Sequence, residues 1–344
     1  MSELTDVLDA IADLVARGEP MALATIVGTR GSTYRRAGAR LLVPANGEPI
    51  GNISGGCLED DVARIGREVI ASGVPRLVAF DMTADDDAVW GYGLGCSGAI
   101  ELFVEPAIGA AESAAALRLA VDDGRDVCLA TVISGPRAGA HSFQTDGAVG
   151  AALADGIARI VETDGERVFY EPMLPPLRLV VCGAGHDAIP LVRQAAELGW
   201  RVTVADVRRA LLTQERFAAA SDFCSADPEQ AATALGTNTR TAVVVMGHNY
   251  LRDIGYLRSF LQAVPAPAYF GVLGPRGRTA QMLDEIGQPE AMARLQAPAG
   301  LDIGADGPEE VARAIIAEIL AVTRDRGGAP LRDRRGPIHA DRER

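Results

Sequence analysis

A chain of 344 residues with 48% apolar and 23% charged residues has an ordinary folded composition and enough length for two cores, which excludes a largely disordered protein. Its 33 basic against 46 acidic residues give a formal charge of −13, which argues against a general surface for nucleic acid or anionic membrane, so neither is expected as a partner. Five scattered cysteines without a C-x-x-C pair, four histidines, no basic-then-apolar start and no apolar run of membrane length argue against a disulfide framework, a structural zinc site, secretion and membrane insertion; a reducing cytoplasm is expected.

In chain order, Leu4, Val7, Leu8, Ile11, Leu14 and Val15 recur on one helical face, with Gly18 placed to end the helix. Met21 to Val27 reads as a buried strand. The polar stretch from Gly28 to Arg36 follows, in which Arg30, Ser32 and Thr33 among glycines and further arginines suit an anion; a solvated loop is the alternative. Arg40 to Val43 and Ile50 to Ile53 flank the Asn46-Gly47 turn signal, so a hairpin leads into Ser54-Gly55-Gly56-Cys57-Leu58-Glu59. Leu58, Val62, Ile65, Val69 and Ile70 then fall at helical spacing. Cys57 thus sits at a helix start, where unpaired amides and the helix dipole favour the thiolate that attacks or binds metal. A small buried residue in a tight turn is the bland reading.

Gly91-Tyr92-Gly93-Leu94-Gly95-Cys96-Ser97-Gly98 places a second cysteine in a glycine loop before the strand-like Ala99 to Val104. Asp85, Asp86 and Asp87 read as a solvated loop. Strands are expected at 76–80, 127–133, 141–143 and 167–170. Pro172, Pro175 and Pro176 mark a linker.

Beyond the linker, strand-like Leu179 to Cys182 runs into Gly183-Ala184-Gly185-His186-Asp187-Ala188 and a helix from Ile189 to Leu198. A second strand then ends at Asp206, 21 residues beyond Gly185. This is a dinucleotide fingerprint in its Gly-x-Gly-x-x-Ala form. Gly183, Gly185 and His186 would meet a pyrophosphate and Asp206 ribose hydroxyls, with Arg208 leaving a 2′-phosphate conceivable. Strands at 241–246 and 268–273 alternate with helices at 251–264, 279–286 and 308–322, and place His248 and Arg276 as possible ligand contacts at strand ends. The expected fold is α/β: an N-terminal α/β domain (1–174), a Rossmann-type doubly wound parallel sheet (175–325) and a mobile tail (326–344).

Together these pieces resemble the XdhC/CoxI family, through Gly31-Ser32-Thr33, Ser54-Gly55-Gly56-Cys57-Leu58-Glu59, Gly93-Leu94-Gly95-Cys96, Val181-Cys182-Gly183-Ala184-Gly185-His186, Asp206-Val207-Arg208 and Gly271-Val272-Leu273-Gly274. The chain departs from that pattern at Tyr34, where the family usually has proline, at Ser97 (glycine), at Gly247 (threonine) and at Pro275 (serine). The resemblance implies an accessory protein that binds molybdenum cofactor, including its cytosine dinucleotide form, protects it during sulfuration and delivers it to a molybdenum hydroxylase client. It further implies Cys57, Cys96 and Glu59 as the cofactor-handling residues, the two thiols beside molybdenum, with a cysteine desulfurase and a second copy of the chain, as homodimer, as partners. A chaperone is expected rather than a turnover enzyme. Two alternatives stand beside it: an NAD(P)-dependent oxidoreductase, which leaves the glycine-flanked cysteines unexplained, and a redox sensor in which Cys57 and Cys96 form a disulfide.

Overall fold

The computed structural model describes residues 2–31, 33–81, 98–122, 126–145 and 156–334. The chain divides into two compact units with the boundary between Pro175 and Pro176.

In the first unit, helix α1 (Ser2–Arg17) ends at Gly18, whose φ of 65° lies in the left-handed region. Strands β1 (Met21–Gly31), β2 (Arg40–Pro44) and β3 (Ile50–Gly51) precede α2 (Glu59–Ser72); β4 (Arg76–Asp81), β5 (Gly98–Pro106) and α3 (Ala107–Val121) follow. The five strands form an antiparallel sheet in the order β3-β2-β1-β5-β4. Both its faces are covered, which is why β1 is a continuous apolar run: Ala22, Ala24 and Ile26 pack under α2, while Met21 and Leu23 join α1 and α3. Val62, Ile65 and Val69 of α2 are buried against the sheet, worth about 1.5–3 kcal/mol each.

Four more strands, β6 (Val127–Ser134), β7 (His141–Thr145), β8 (Arg159–Thr163) and β9 (Glu166–Met173), make a second antiparallel sheet in the order β7-β6-β9-β8. Pro172 belongs to β9 and not to the linker. It pairs with Cys128 of β6, and β8 reaches only to Tyr170, so no donor is demanded on its outer side. Val27, Phe103, Ile133 and Phe169 pack between the two sheets. Beside them Arg40 pairs with Glu171 through both carboxylate oxygens, Arg167 with Glu101 at 2.7 Å and His141 Nε2 with Glu105 at 2.6 Å. A cavity of about 10 Å³, close to the room one water needs, lies among Thr25, Arg40, Glu105, Thr131 and Glu171.

The second unit runs β10 (Arg178–Cys182), α4 (Ala188–Glu197), β11 (Arg201–Ala205), β12 (Asp222–Cys224), α5 (Ala231–Leu235), β13 (Thr241–Val245), α6 (Tyr250–Leu261), β14 (Tyr269–Val272), α7 (Arg276–Ile286) and α8 (Pro308–Thr323). All pairings are parallel and the order is β12-β11-β10-β13-β14, the Rossmann arrangement. Helices cover both faces: α4 and α8 pack with Val181, Val202 and Val244, and α6 and α7 with Val180, Val243 and Val245. Beyond α8 a short 3-10 turn spans Leu331–Asp333, and residues 335–344 lie outside the described residues. No helix among the described residues is long and apolar enough to cross a membrane.

Candidate functional site

The turn after β3 is folded around one carboxylate. Glu59, the first residue of α2, reaches back so that its Oε1 accepts the amides of Ile53 (3.2 Å) and Ser54 (2.9 Å). Its Oε2 accepts those of Gly56 (3.0 Å) and Leu58 (3.1 Å) together with the Ser54 hydroxyl. Ser54 Oγ in turn accepts from the Leu58 amide at 2.8 Å, and Asn52 Oδ1 from the Gly55 amide at 3.0 Å. Gly55 and Gly56, at φ of 81° and 109°, take left-handed conformations that point successive amides inward. Burial pulls the Glu59 pKa up, but the hydrogen bonds from Ser54, Ile53 and its own amide outweigh that and hold it below the usual carboxylate value.

Cys57 sits on this loop, half-buried against the cluster of Ile53, Leu58 and Val62. Within the turn itself, Glu59 has taken the amides of residues 53, 54, 56 and 58, so these are not open to the thiol. Tyr34, at one of the departures from the family pattern, lays its ring on Gly55, where an added Cβ would stand 3.3 Å from it. Cys96 and Ser32 lie outside the described residues, as does the acidic run 85–87.

The basic stretch does not gather its charges at one point. Arg30 is part of β1 and not of a loop; it pairs with Asp81 at 2.9 Å, while Arg35 pairs with Glu3 at 2.6 Å and Thr33 donates to the Arg35 carbonyl at 2.9 Å. Two of the arginines are therefore already neutralised by carboxylates on different elements.

In the second unit the fingerprint lies between β10 and α4 as expected. Gly183 has a φ of 129°, and an added Cβ would come within 2.7 Å of the Met246 carbonyl oxygen and 2.8 Å of Gly247 Cα, so the ends of β10 and β13 touch through glycine backbone. Asp206 is buried and fully engaged. Oδ2 accepts the Ala184 amide (2.9 Å) and Arg208 Nη2 (2.6 Å), while Oδ1 accepts the Arg208 amide and Nε, both at 2.9 Å. Burial opposes its ionisation, and the Arg208 and Ala184 bonds overcome this, bringing its pKa to about 2. As folded, Asp206 braces the glycine loop through the Ala184 amide, and Arg208 engages both of its carboxylate oxygens.

His248 and Arg276 stand at the carboxyl ends of β13 and β14 and are both exposed, as is His186. His248, at φ 54°, meets Asp187 with Nε2 at 2.5 Å from Oδ2. Beneath Gly247, buried Asp253 pairs with Arg278 at 2.7 Å, and Arg278 lies over the Tyr250 ring at 5.6 Å. Burial raises the Asp253 pKa against the pull of Arg278 and the Gly247 amide. An added Cβ on Gly247, another departure from the family pattern, would collide with Asp253 Oδ1. Asp187, Asp253 and Arg278 were not singled out from the sequence. Asp253 carried a signal, an acid on the buried face of α6 one turn from Tyr256 and Leu257.

A family model described as the XdhC Rossmann domain matches residues 179–319, and one described as the XdhC and CoxI family matches residues 14–81. The chain is 34% identical over 340 residues to a Bacillus subtilis (strain 168) protein described as a probable subunit of xanthine dehydrogenase, covering 93% of this chain and 97% of that protein. It is 24% identical over 320 residues to the molybdenum cofactor insertion chaperone PaoD of Escherichia coli (strain K12), covering 92% and 87%. A crystal structure described as a xanthine dehydrogenase from Bacillus halodurans superposes with a TM-score of 0.77 at 28% identity, covering 95% of this chain and 98% of that one.

Proposed function

Because this chain belongs to the XdhC and CoxI family, we propose that it is an accessory protein which receives molybdenum cofactor, shields it during sulfuration and delivers it to a molybdenum hydroxylase of the xanthine dehydrogenase type. Support comes from relatives that match more than nine-tenths of the chain, one described as a probable subunit of xanthine dehydrogenase and one as a cofactor insertion chaperone.

The observation that carries the reading to particular residues is the Glu59-centred turn. It fixes a half-exposed thiol, Cys57, on a loop held by four backbone amides bonded to Glu59, so a soft sulfur ligand is offered without the loop having to refold. Cys128 and Cys182 are buried, and burial raises both thiols, Cys182 strongly, which removes them from this role. Cys96 is the second thiol of the proposal. The crevice beyond β10 and β13 would take the phosphate end of the cofactor, whether a monophosphate or a cytidine dinucleotide. A cysteine desulfurase supplying sulfur and a second copy of the chain complete the proposed partners.

The test is co-expression of a client hydroxylase with this chain or its Cys57→Ser variant, followed by metal analysis and activity of the purified client. Loss of active client with Cys57→Ser, while the variant remains folded, is the expected result. Undiminished activation with Cys57→Ser, or steady turnover of a small substrate with NAD or NADP by this chain alone, overturns the reading.

A further inference from the structure

In a dinucleotide fingerprint the second glycine leaves room for a pyrophosphate to lie directly on the backbone. Here that room is filled from within the chain. A Cβ built on Gly185 would collide with Oδ1 of Asp187, so this carboxylate lies in the space the glycine leaves. The other oxygen, Oδ2, is held at 2.5 Å by Nε2 of His248. Asp187 follows β10 and His248 follows β13, and these two strands flank the point where the strand order reverses. This contact therefore spans the crevice that a Rossmann sheet offers to its ligand.

Other details suit a contact that can open. Asp187 stands at the N-cap of α4, yet its side chain makes no capping hydrogen bond, so the helix does not hold the carboxylate in place. The His248 side chain is 64% exposed and rises from a left-handed backbone conformation that directs it across the crevice.

We propose that Asp187 and His248 form a latch that closes the fingerprint against pyrophosphate, making Asp187 the residue that decides which phosphorylated ligands enter. In the closed form an incoming pyrophosphate meets a carboxylate of like charge in the same space; a ligand gains the Gly185 backbone only when Asp187 swings away with or from His248. This deepens the proposed role of the Rossmann crevice, and it is tested without a client enzyme, so its failure leaves cofactor delivery by Cys57 standing.

The experiment is titration calorimetry of the full chain with NAD+ and, separately, cytidine 5′-diphosphate, at one fixed ionic strength. Asp187→Asn and Asp187→Ala are expected to bind at least one of these probes about tenfold or more tightly than the unmodified chain, and His248→Gln to gain in the same direction by less. Adding Gly185→Ala to Asp187→Asn is expected to remove the gain, since a methyl group then stands where the carboxylate stood; circular dichroism confirms that each variant is folded. Affinities for both probes that stay within twofold of the unmodified chain, no binding by any variant, or a gain that survives Gly185→Ala overturn the latch.

Discussion

Arg40 on β2 and Glu171 on β9, 131 residues apart, form a two-pronged ion pair in which both side chains are buried, and this pair ties the two sheets of the first unit together. Arg40 Nη1 also donates to the Gly38 carbonyl at 2.6 Å, while its Nε finds no partner. Removing one member leaves the other charge buried alone. Arg40→Met or Glu171→Leu should each lower unfolding stability by about 3–5 kcal/mol, whereas the double change Arg40→Met with Glu171→Leu should cost far less than the sum. Urea denaturation of the three variants measures this; additive losses would show that the two residues act separately.

The pair of His141 and Glu105 gives the first unit a pH dependence of known sign. The His141 side chain is buried, with Thr131 Oγ1 at 3.2 Å on Nδ1 and Glu105 at 2.6 Å on Nε2. Burial lowers its pKa, but the Glu105 bond and charge, with Glu112 behind, raise it above the ordinary 6.5. A folded-state pKa above the unfolded one means that the stabilisation is complete below about pH 6.5 and is lost as the pH rises through the folded value. Denaturant midpoints from pH 5.5 to 9 should therefore fall across this window in the unmodified chain and fall less in His141→Gln.

Glu59 can be weakened without touching the thiol. Glu59→Gln loses the charge behind four amide bonds and should destabilise the first unit by about 1–3 kcal/mol. Because the Glu59 pKa is lowered on folding, its contribution is present above the unfolded carboxylate value near 4.5 and fades as the pH falls through the folded one. A loosened turn exposes Cys57, so alkylation by iodoacetamide, followed at that residue by mass spectrometry, should speed up in the variant; an unchanged rate would mean the turn keeps its shape without the carboxylate.

Two glycines of the second unit should respond oppositely to the same change. Gly183→Ala puts a methyl group against the Met246 carbonyl in a left-handed backbone and should destabilise by more than about 1 kcal/mol. Gly277→Ala, in the first turn of α7 with open space around it, should stabilise by about 0.4–1 kcal/mol. Thermal unfolding of both checks the pair.

The Rossmann unit was readable from the sequence because its signals are local: apolar strands, a glycine turn and an acid at the next strand end follow one another within a few dozen residues. The α3 helix was not, since Ala107–Val121 is so rich in alanine that no apolar stripe stands out, although Ala110, Ala116, Leu117 and Ala120 are fully buried. Strands β8 and β12 are too short or too polar to announce themselves. At the site, the Ser54–Glu59 stretch was recognisable, but that Glu59 would consume the turn's own amides depends on a carboxylate folding back over five residues. The meeting of Asp187 with His248 was further out of reach, since 61 residues separate them and only the pairing of β10 with β13 brings them together.

The position of β1 at the centre of its sheet also bears on how the protein is made. β2 emerges soon after it, but the other side of β1 pairs with β5, residues 98–106, so the edge from Ala22 to Gly31 stays open until that strand has left the ribosome. At about 5–20 residues per second the wait lasts several seconds, with an apolar strand edge exposed. Mispairing with a neighbouring nascent chain is thus a hazard of the first unit's synthesis, over before the first strand of the parallel sheet is translated.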